Sequence, residues 1–154
     1  MITQLELAQL ERLGKKATAA SKSLPFVIND IKKDAAYHVW YKVTLGTLVD
    51  TSKALSNWKI STPVDNPIQR PAYFLGGTEV GEVKGSTKSQ SFQLAQRIEF
   101  ANVQRAQPEK AVYISTNLDY VREIYEGGDH FHKIAKVAAE SIIAKNSKQL
   151  KNII

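Results

Sequence analysis

Apolar positions recur at helical spacing through the first third of the chain. Over residues 2–18, Ile2, Leu5, Leu10, Leu13 and Ala17 fall on one broad side of a helix, with Glu11, Lys15 and Lys16 among the polar remainder. Ser21-Lys22-Ser23 interrupts that pattern, and Pro25 stands where a first helical turn tolerates a missing amide. A second helix is therefore predicted, with Ile28, Ile31, Ala35, Val39 and Val43 on one face and Asp30, Lys33, Asp34 and Tyr37 opposite. Gly46 is its expected end.

The pattern then shortens. In VDTSKALSNWKIS, residues 49–61, the side-chain oxygen of Asp50 or Thr51 can cap a single helical turn through Leu55, after which Asn57 redirects the chain. Trp58 and Ile60 alternate with Lys59 and Ser61, as in a half-buried strand. Residues 62–87 are punctuated by Pro63, Pro67, Pro71, Gly76, Gly77, Gly81 and Gly85, with β-like pieces at 72–75 and 80–83. A segment of this length inside a small domain is expected to protrude and to meet a partner, since strand edges it cannot pair internally are satisfied by a second chain.

Residues 88–106 carry Phe92, Leu94, Ile98 and Phe100 in near alternation, but Gln96 breaks it, and Ala95, Ala101 and Ala106 among Gln, Arg and Glu favour a helix with apolar groups on more than one side. Pro108 stops it. Ala111–Ser115 is the clearest strand, Asn117 caps a short helix over Leu118–Glu126 that Gly127-Gly128 terminates, and a last helix from Phe131 aligns Ile134, Ala135, Ala138 and Ile142. The expected fold is α+β: helices packed on a small, mostly antiparallel sheet built from 57–62, parts of 72–84 and 111–115, with a long β-rich protruding loop. One domain is expected over 1–154, made of N-terminal helices (1–46), a sheet, loop and helix core (47–128) and a C-terminal helix (129–154).

Composition narrows the chemistry more than it names it. A chain of 154 residues buries a core without staples, and the absence of cysteine removes thiol nucleophiles, thiolate zinc sites and iron–sulfur clusters. The N-terminus reads as an amphipathic helix and not as a signal peptide, and no apolar run reaches membrane-spanning length. The formal charge of +6 is spread over Lys15, Lys16, Lys32, Lys33, Lys84, Lys133, Lys145, Lys148 and Lys151 and never forms a block interleaved with stacking aromatics, so a solvated surface is favoured over a base-reading one.

Candidate sites are few. Asp129-His130-Phe131-His132 could ligate a metal on a strand, where i and i+2 share a face; at a glycine-led helix start those side chains diverge, and Asp129 reads as an N-cap. Glu123 and Glu126 lie three apart on a predicted helix, a spacing that more often serves ion pairs than acid–base chemistry. No nucleophile elbow or phosphate-binding glycine loop is present. Trp58, Tyr113 and Tyr120 read as core or interface anchors. No cofactor, metal or catalytic residue is assigned.

Two blocks carry a resemblance. VDTSKALSNWKIS (Val49, Asp50, Thr51, Ala54, Asn57, Trp58) and VYISTNLDYVREIYEGG (Tyr113, Ile114, Asn117, Leu118, Tyr120, Ile124, Gly127) resemble, in order and separation, the VDTG-R-A-x-x-NW-x-V/I and V/I-Y-I-x-N-N-L-P-Y-A-x-x-L-E-x-G stretches of tailed-phage neck or tail-completion proteins. Ser52 stands where the family has Gly, Lys53 where it has Arg, Asp119 where it has Pro and Tyr125 where Glu is common; GDHFHKIAKVAAE replaces the usual Ser-x-Gln-Ala-Pro half-motif. The resemblance implies a non-enzymatic virion component made in the host cytoplasm, assembled into a ring, commonly hexameric, at the head–tail joint. Its implied partners are further copies of itself, the connector or head-closure protein, and the tail-tube or tail-terminator protein, with non-specific contact to passing DNA and no membrane. The structural motif would comprise Asp50, Thr51, Asn57, Trp58, Tyr113, Asn117, Tyr120 and Gly127, and the inter-subunit loop Pro67, Arg70, Tyr73, Phe74 and Lys84. The alternative is a basic nucleic-acid-binding module; a metal-dependent hydrolase using His130 and His132 is a third reading.

Overall fold

The computed structural model describes residues 4–46, 52–71, 86–118 and 129–153. Its elements are α1 (Gln4–Gly46), α2 (Ser52–Asn57), β1 (Lys59–Ser61), α3 (Ser86–Gln104), β2 (Tyr113–Ser115) and α4 (Asp129–Ile153). The α+β expectation is corrected: the fold is mostly helical, dominated by α1, with one small two-stranded sheet among the described residues. The strands pair antiparallel, Lys59 opposite Ser115, Ile60 opposite Ile114 and Ser61 opposite Tyr113. Residues 62–71 add no strand to it. Pro63, Pro67 and Pro71 lack the amide a ladder needs, and the Thr62–Pro63 bond is cis. The β-like pieces at 72–75 and 80–83 and the helix expected beyond Leu118 lie outside the described residues.

The break expected between two N-terminal helices does not occur. α1 runs through 43 residues, about 65 Å at 1.5 Å per residue, with Pro25 inside it. Proline there removes the amide that would bond the Ser21 carbonyl. That turn is exposed, so water can serve the carbonyl, and Ser23 Oγ donates to the neighbouring Ala20 carbonyl at 3.2 Å. α1 is described as far as Gly46, so the end expected there falls at the edge of the described residues.

α4 lies antiparallel to the C-terminal half of α1. Gly46 sits against the Ile134 side chain, His38 and Lys42 share a groove with Ile134 and Val137, and Lys33 and Asp34 share a cavity with Ile142 and Asn146. The N-terminal part of α1 outruns this pairing, and residues 9–19 are all exposed. Leu10 and Leu13 thus meet no core.

Trp40 is the centre of the packed half. It is fully buried, stacks with Tyr37 and Phe92 at centroid distances of 5.6 and 6.3 Å, and donates its Nε1–H to the Trp58 carbonyl at 2.9 Å. Trp58 meets Phe131 of α4 edge-on at 5.0 Å. Ala36, Val39, Val43, Ala54, Ile60, Ala95, Val103, Leu118 and Ala138 pack with them in the core. The facing pattern expected for the second helix is corrected in two places: Ile28 is half exposed, while Tyr37 packs against the core. On α3, Pro108 follows closing turns in which the Arg105 and Ala106 amides donate to the Asn102 and Val103 carbonyls. The connection to β2 is pinned by α1: Asn29 Nδ2 donates to the Ala106 carbonyl at 2.9 Å, and Lys32 Nζ to those of Gln107 and Lys110 at 2.6 and 2.7 Å. Among the described residues no helix is long and apolar enough to cross a membrane.

Candidate functional site

The irregular segment 62–71 is held at almost every turn of its backbone. α2 ends on Asn57, which is fully buried because its amide does the work of a miniature strand. Its Nδ2 donates to the Lys53 carbonyl at 2.8 Å and the Arg70 carbonyl at 2.9 Å, and its Oδ1 accepts from the Arg70 amide at 2.8 Å. From the other side, Asn117 Nδ2 donates to the Pro67 carbonyl and Gln69 Nε2 returns a bond to the Asn117 carbonyl at 2.8 Å. Thr62 Oγ1 donates to Ala111, and Ser61 Oγ accepts from the Asn66 amide.

Two buried charges lie beneath. Lys59, on the strand face expected to be wet, is fully buried, and its Nζ donates to the carbonyls of Asn66 and Ile68, both at 2.5 Å. Burial, and then the nearby Arg70 cation, push its pKa below the ordinary lysine value; Asp65 and Glu99 oppose this. Glu99, fully buried on α3, accepts from the Ile60 amide at 2.6 Å and Asn102 Nδ2 at 3.1 Å on Oε2, and from Arg70 Nη1 at 2.5 Å on Oε1. A single carboxylate thereby joins α3, the strand and the far end of the loop.

The bound backbone leaves its apolar side chains outside. Val64 is 73% and Ile68 70% exposed, with the exposed Asp65 between them taking bonds from Ser61 and Ser115 Oγ, both on Oδ1. This arrangement carries no acid–base or nucleophilic constellation; it presents a fixed apolar shape. A polar cavity of about 370 Å³ opens beside it, bounded by Lys59, Thr62, Asn66, Arg70 and Arg105. Of its cations, Lys59 is engaged by carbonyls and Arg70 by Glu99, which leaves Arg105 at the solvent edge.

Of the residues singled out from the sequence, Asn57, Pro67, Arg70 and Asn117 come together in this clamp. Trp58 lies in the adjoining core, and Tyr113, on the strand edge, is partly exposed. Asp50, Thr51, Tyr73, Phe74, Lys84, Tyr120 and Gly127 lie outside the described residues, as do Glu123 and Glu126. His130 and His132 are exposed at the start of α4, and among the described residues no three metal-capable side chains gather. Sequence reading missed Lys59, Asp65, Gln69 and Glu99. Only Glu99 left a trace: it falls four residues from both Ala95 and Val103, on the face that α3 buries. Comparisons with family models, curated proteins and solved structures return no match, so the site is read from its own geometry.

Proposed function

We propose that the chain is a non-enzymatic structural protein of the tailed-phage neck, forming a ring at the head–tail interface through which DNA passes. The observation that carries the reading is the meeting of its two motif blocks on one loop. Ile60 of the first pairs with Ile114 of the second, and Asn57 and Asn117, one from each, grip residues 67–70 from opposite sides. A mechanical joint needs a contact surface whose shape is set before the neighbour arrives, because ordering it on binding would weaken the contact. The clamp supplies such a surface with Val64 and Ile68 outermost.

The nucleic-acid-binding alternative has less support, since Lys59 and Arg70, the cations nearest the loop, already have partners within the chain. Negative-stain microscopy and mass photometry of the protein with connector and tail-tube proteins test the proposal: rings seated on either partner are expected. Monomers that join neither would refute it. Tight, steeply salt-dependent binding of DNA by the free protein would favour the alternative.

A further inference from the structure

The loop has a counterpart elsewhere on the same molecule. Between α1 and α4 lies a groove of about 720 Å³ whose floor is Ile134, Val137 and Ala138 and whose polar rim includes His38, Lys42 and Lys133. Val137 is 66% exposed in it. Among the described residues none that lines the groove is acidic, and none of the three basic rim groups has an ion-pair partner. The loop has the inverse character: two exposed branched apolar side chains with a carboxylate, Asp65, between them. Among the described residues, none of the loop lines the groove.

We infer that the Val64–Ile68 loop of one copy docks into the α1–α4 groove of a second copy, its apolar pair on Ile134 and Val137 and Asp65 facing Lys42 and Lys133. This rests on the ring reading and deepens it. Knob and groove are different surfaces, so the contact is head-to-tail; such a contact repeats from copy to copy and closes into a ring if the rotation allows. Charge complementarity fixes the orientation of the loop, and apolar burial supplies the attraction. The buried lysine and glutamate beneath the loop then have a purpose: they hold the knob in shape before it is used.

The absence of cysteine makes the test direct, because each introduced thiol is unique. Full-length Ile68→Cys and Val137→Cys chains are mixed and oxidised, alone and with connector and tail-tube proteins, and their assembly is followed by sedimentation. The expected result is a disulfide between unlike chains, exceeding either like-chain product by roughly tenfold, reduced roughly tenfold by Asp65→Lys and recovered when Lys42→Glu and Lys133→Glu are placed in the Val137→Cys chain. Far-UV circular dichroism of each variant establishes that it folds. Preferential cross-linking of Leu13→Cys to Val137→Cys would assign the groove to the exposed helical arm and overturn the inference. Oligomers in sedimentation without the Ile68–Val137 disulfide would overturn it while leaving the ring reading in place. No oligomer under any condition would remove both.

Discussion

Glu99→Gln tests whether the loop is held from below by charge. The carboxylate is fully buried and spends three bonds on three parts of the fold: the Ile60 amide, Asn102 and Arg70. Glutamine retains one carbonyl oxygen. If that oxygen keeps the Ile60 amide, the new NH₂ faces the Arg70 guanidinium, donor against donor. The loss is then one hydrogen bond to a charged group, about 1.5–3 kcal/mol, plus part of the penalty for an unpaired cation, reduced because the Arg70 side chain is 25% exposed. A destabilisation of about 2–4 kcal/mol is expected in urea titrations followed by circular dichroism. Glu99→Ala also orphans the Ile60 amide and adds about 1–3 kcal/mol. With Arg70→Met in a double-mutant cycle, a coupling of about 1–3 kcal/mol is expected. Hydrogen exchange should show the Arg70 amide losing protection more than the amides around Trp40. A loss below about 1 kcal/mol together with coupling below about 0.5 kcal/mol would refute the reasoning, because it would mean that the pair is effectively solvated.

Asn57→Asp keeps the acceptor for the Arg70 amide but loses the donors to Lys53 and Arg70 carbonyls, so it should destabilise by about 2 kcal/mol and accelerate exchange at residue 70, whereas Ser56→Ala, which loses only the local bonds to the Lys53 carbonyl and from Asn57 Nδ2, should cost about 1 kcal/mol. Trp40→Phe leaves a void and removes the Nε1–H bond to the Trp58 carbonyl; calorimetry should register a loss of about 2–4 kcal/mol. Gly14→Ala, in open space on the exposed arm, should raise helicity by circular dichroism, through about 1 kcal/mol of local propensity, and leave the cooperative unfolding midpoint unchanged. Lys59→Met reports the sign of a pH effect. The folded pKa of Lys59 lies below the free value of 10.5, so the unfolded chain holds the proton longer and wild type gains stability relative to Lys59→Met as pH rises toward that value. Tyr37, whose pKa burial raises, acts in the opposite sense in both proteins and cancels in the difference; a wild-type advantage that shrinks with rising pH would contradict the assignment.

The helices were legible where their faces are uniformly apolar, and the reading failed where buried polar groups stand in for apolar ones. α3 shows why. Its inner face reads Ser91, Ala95, Glu99 and Val103, while Phe100 is half exposed, so apolar periodicity points away from the true face. Lys59 misled for the same reason: alternation assigned it to water, yet its stem runs through the interior and its ammonium is bonded by carbonyls. Pro25 misled differently, because a helix terminator by local rule is tolerated when the turn is exposed and the downstream half is held by α4. The α+β expectation followed from strand-like alternation counted without a partner: Lys59–Ser61 pairs with Tyr113–Ser115 and with no third strand among the described residues. Asn57 and Asn117 were legible as motif positions, but their convergence on residues 67–70 depends on contacts 13 and 50 residues apart in the chain, which no local pattern encodes.

The choice of charge for the clamp distinguishes a presented loop from a merely packed one. An apolar residue at position 59 would fill the same interior at smaller desolvation penalty, yet it would leave the Asn66 and Ile68 carbonyls unbonded and the loop free to turn its valine and isoleucine inward. With the ammonium in place, both carbonyls are drawn toward the body. Residues 63–69 are exposed along their whole length, so the Val64 and Ile68 side chains stay outside, where hydrophobic burial alone would not put them. Lys59→Met should therefore separate two properties that usually move together: thermal stability falls little or rises, while the Ile68–Val137 cross-link between copies is lost. Retention of that cross-link in a stable Lys59→Met protein would show that the loop keeps its shape without the buried ion and that the lysine serves packing alone.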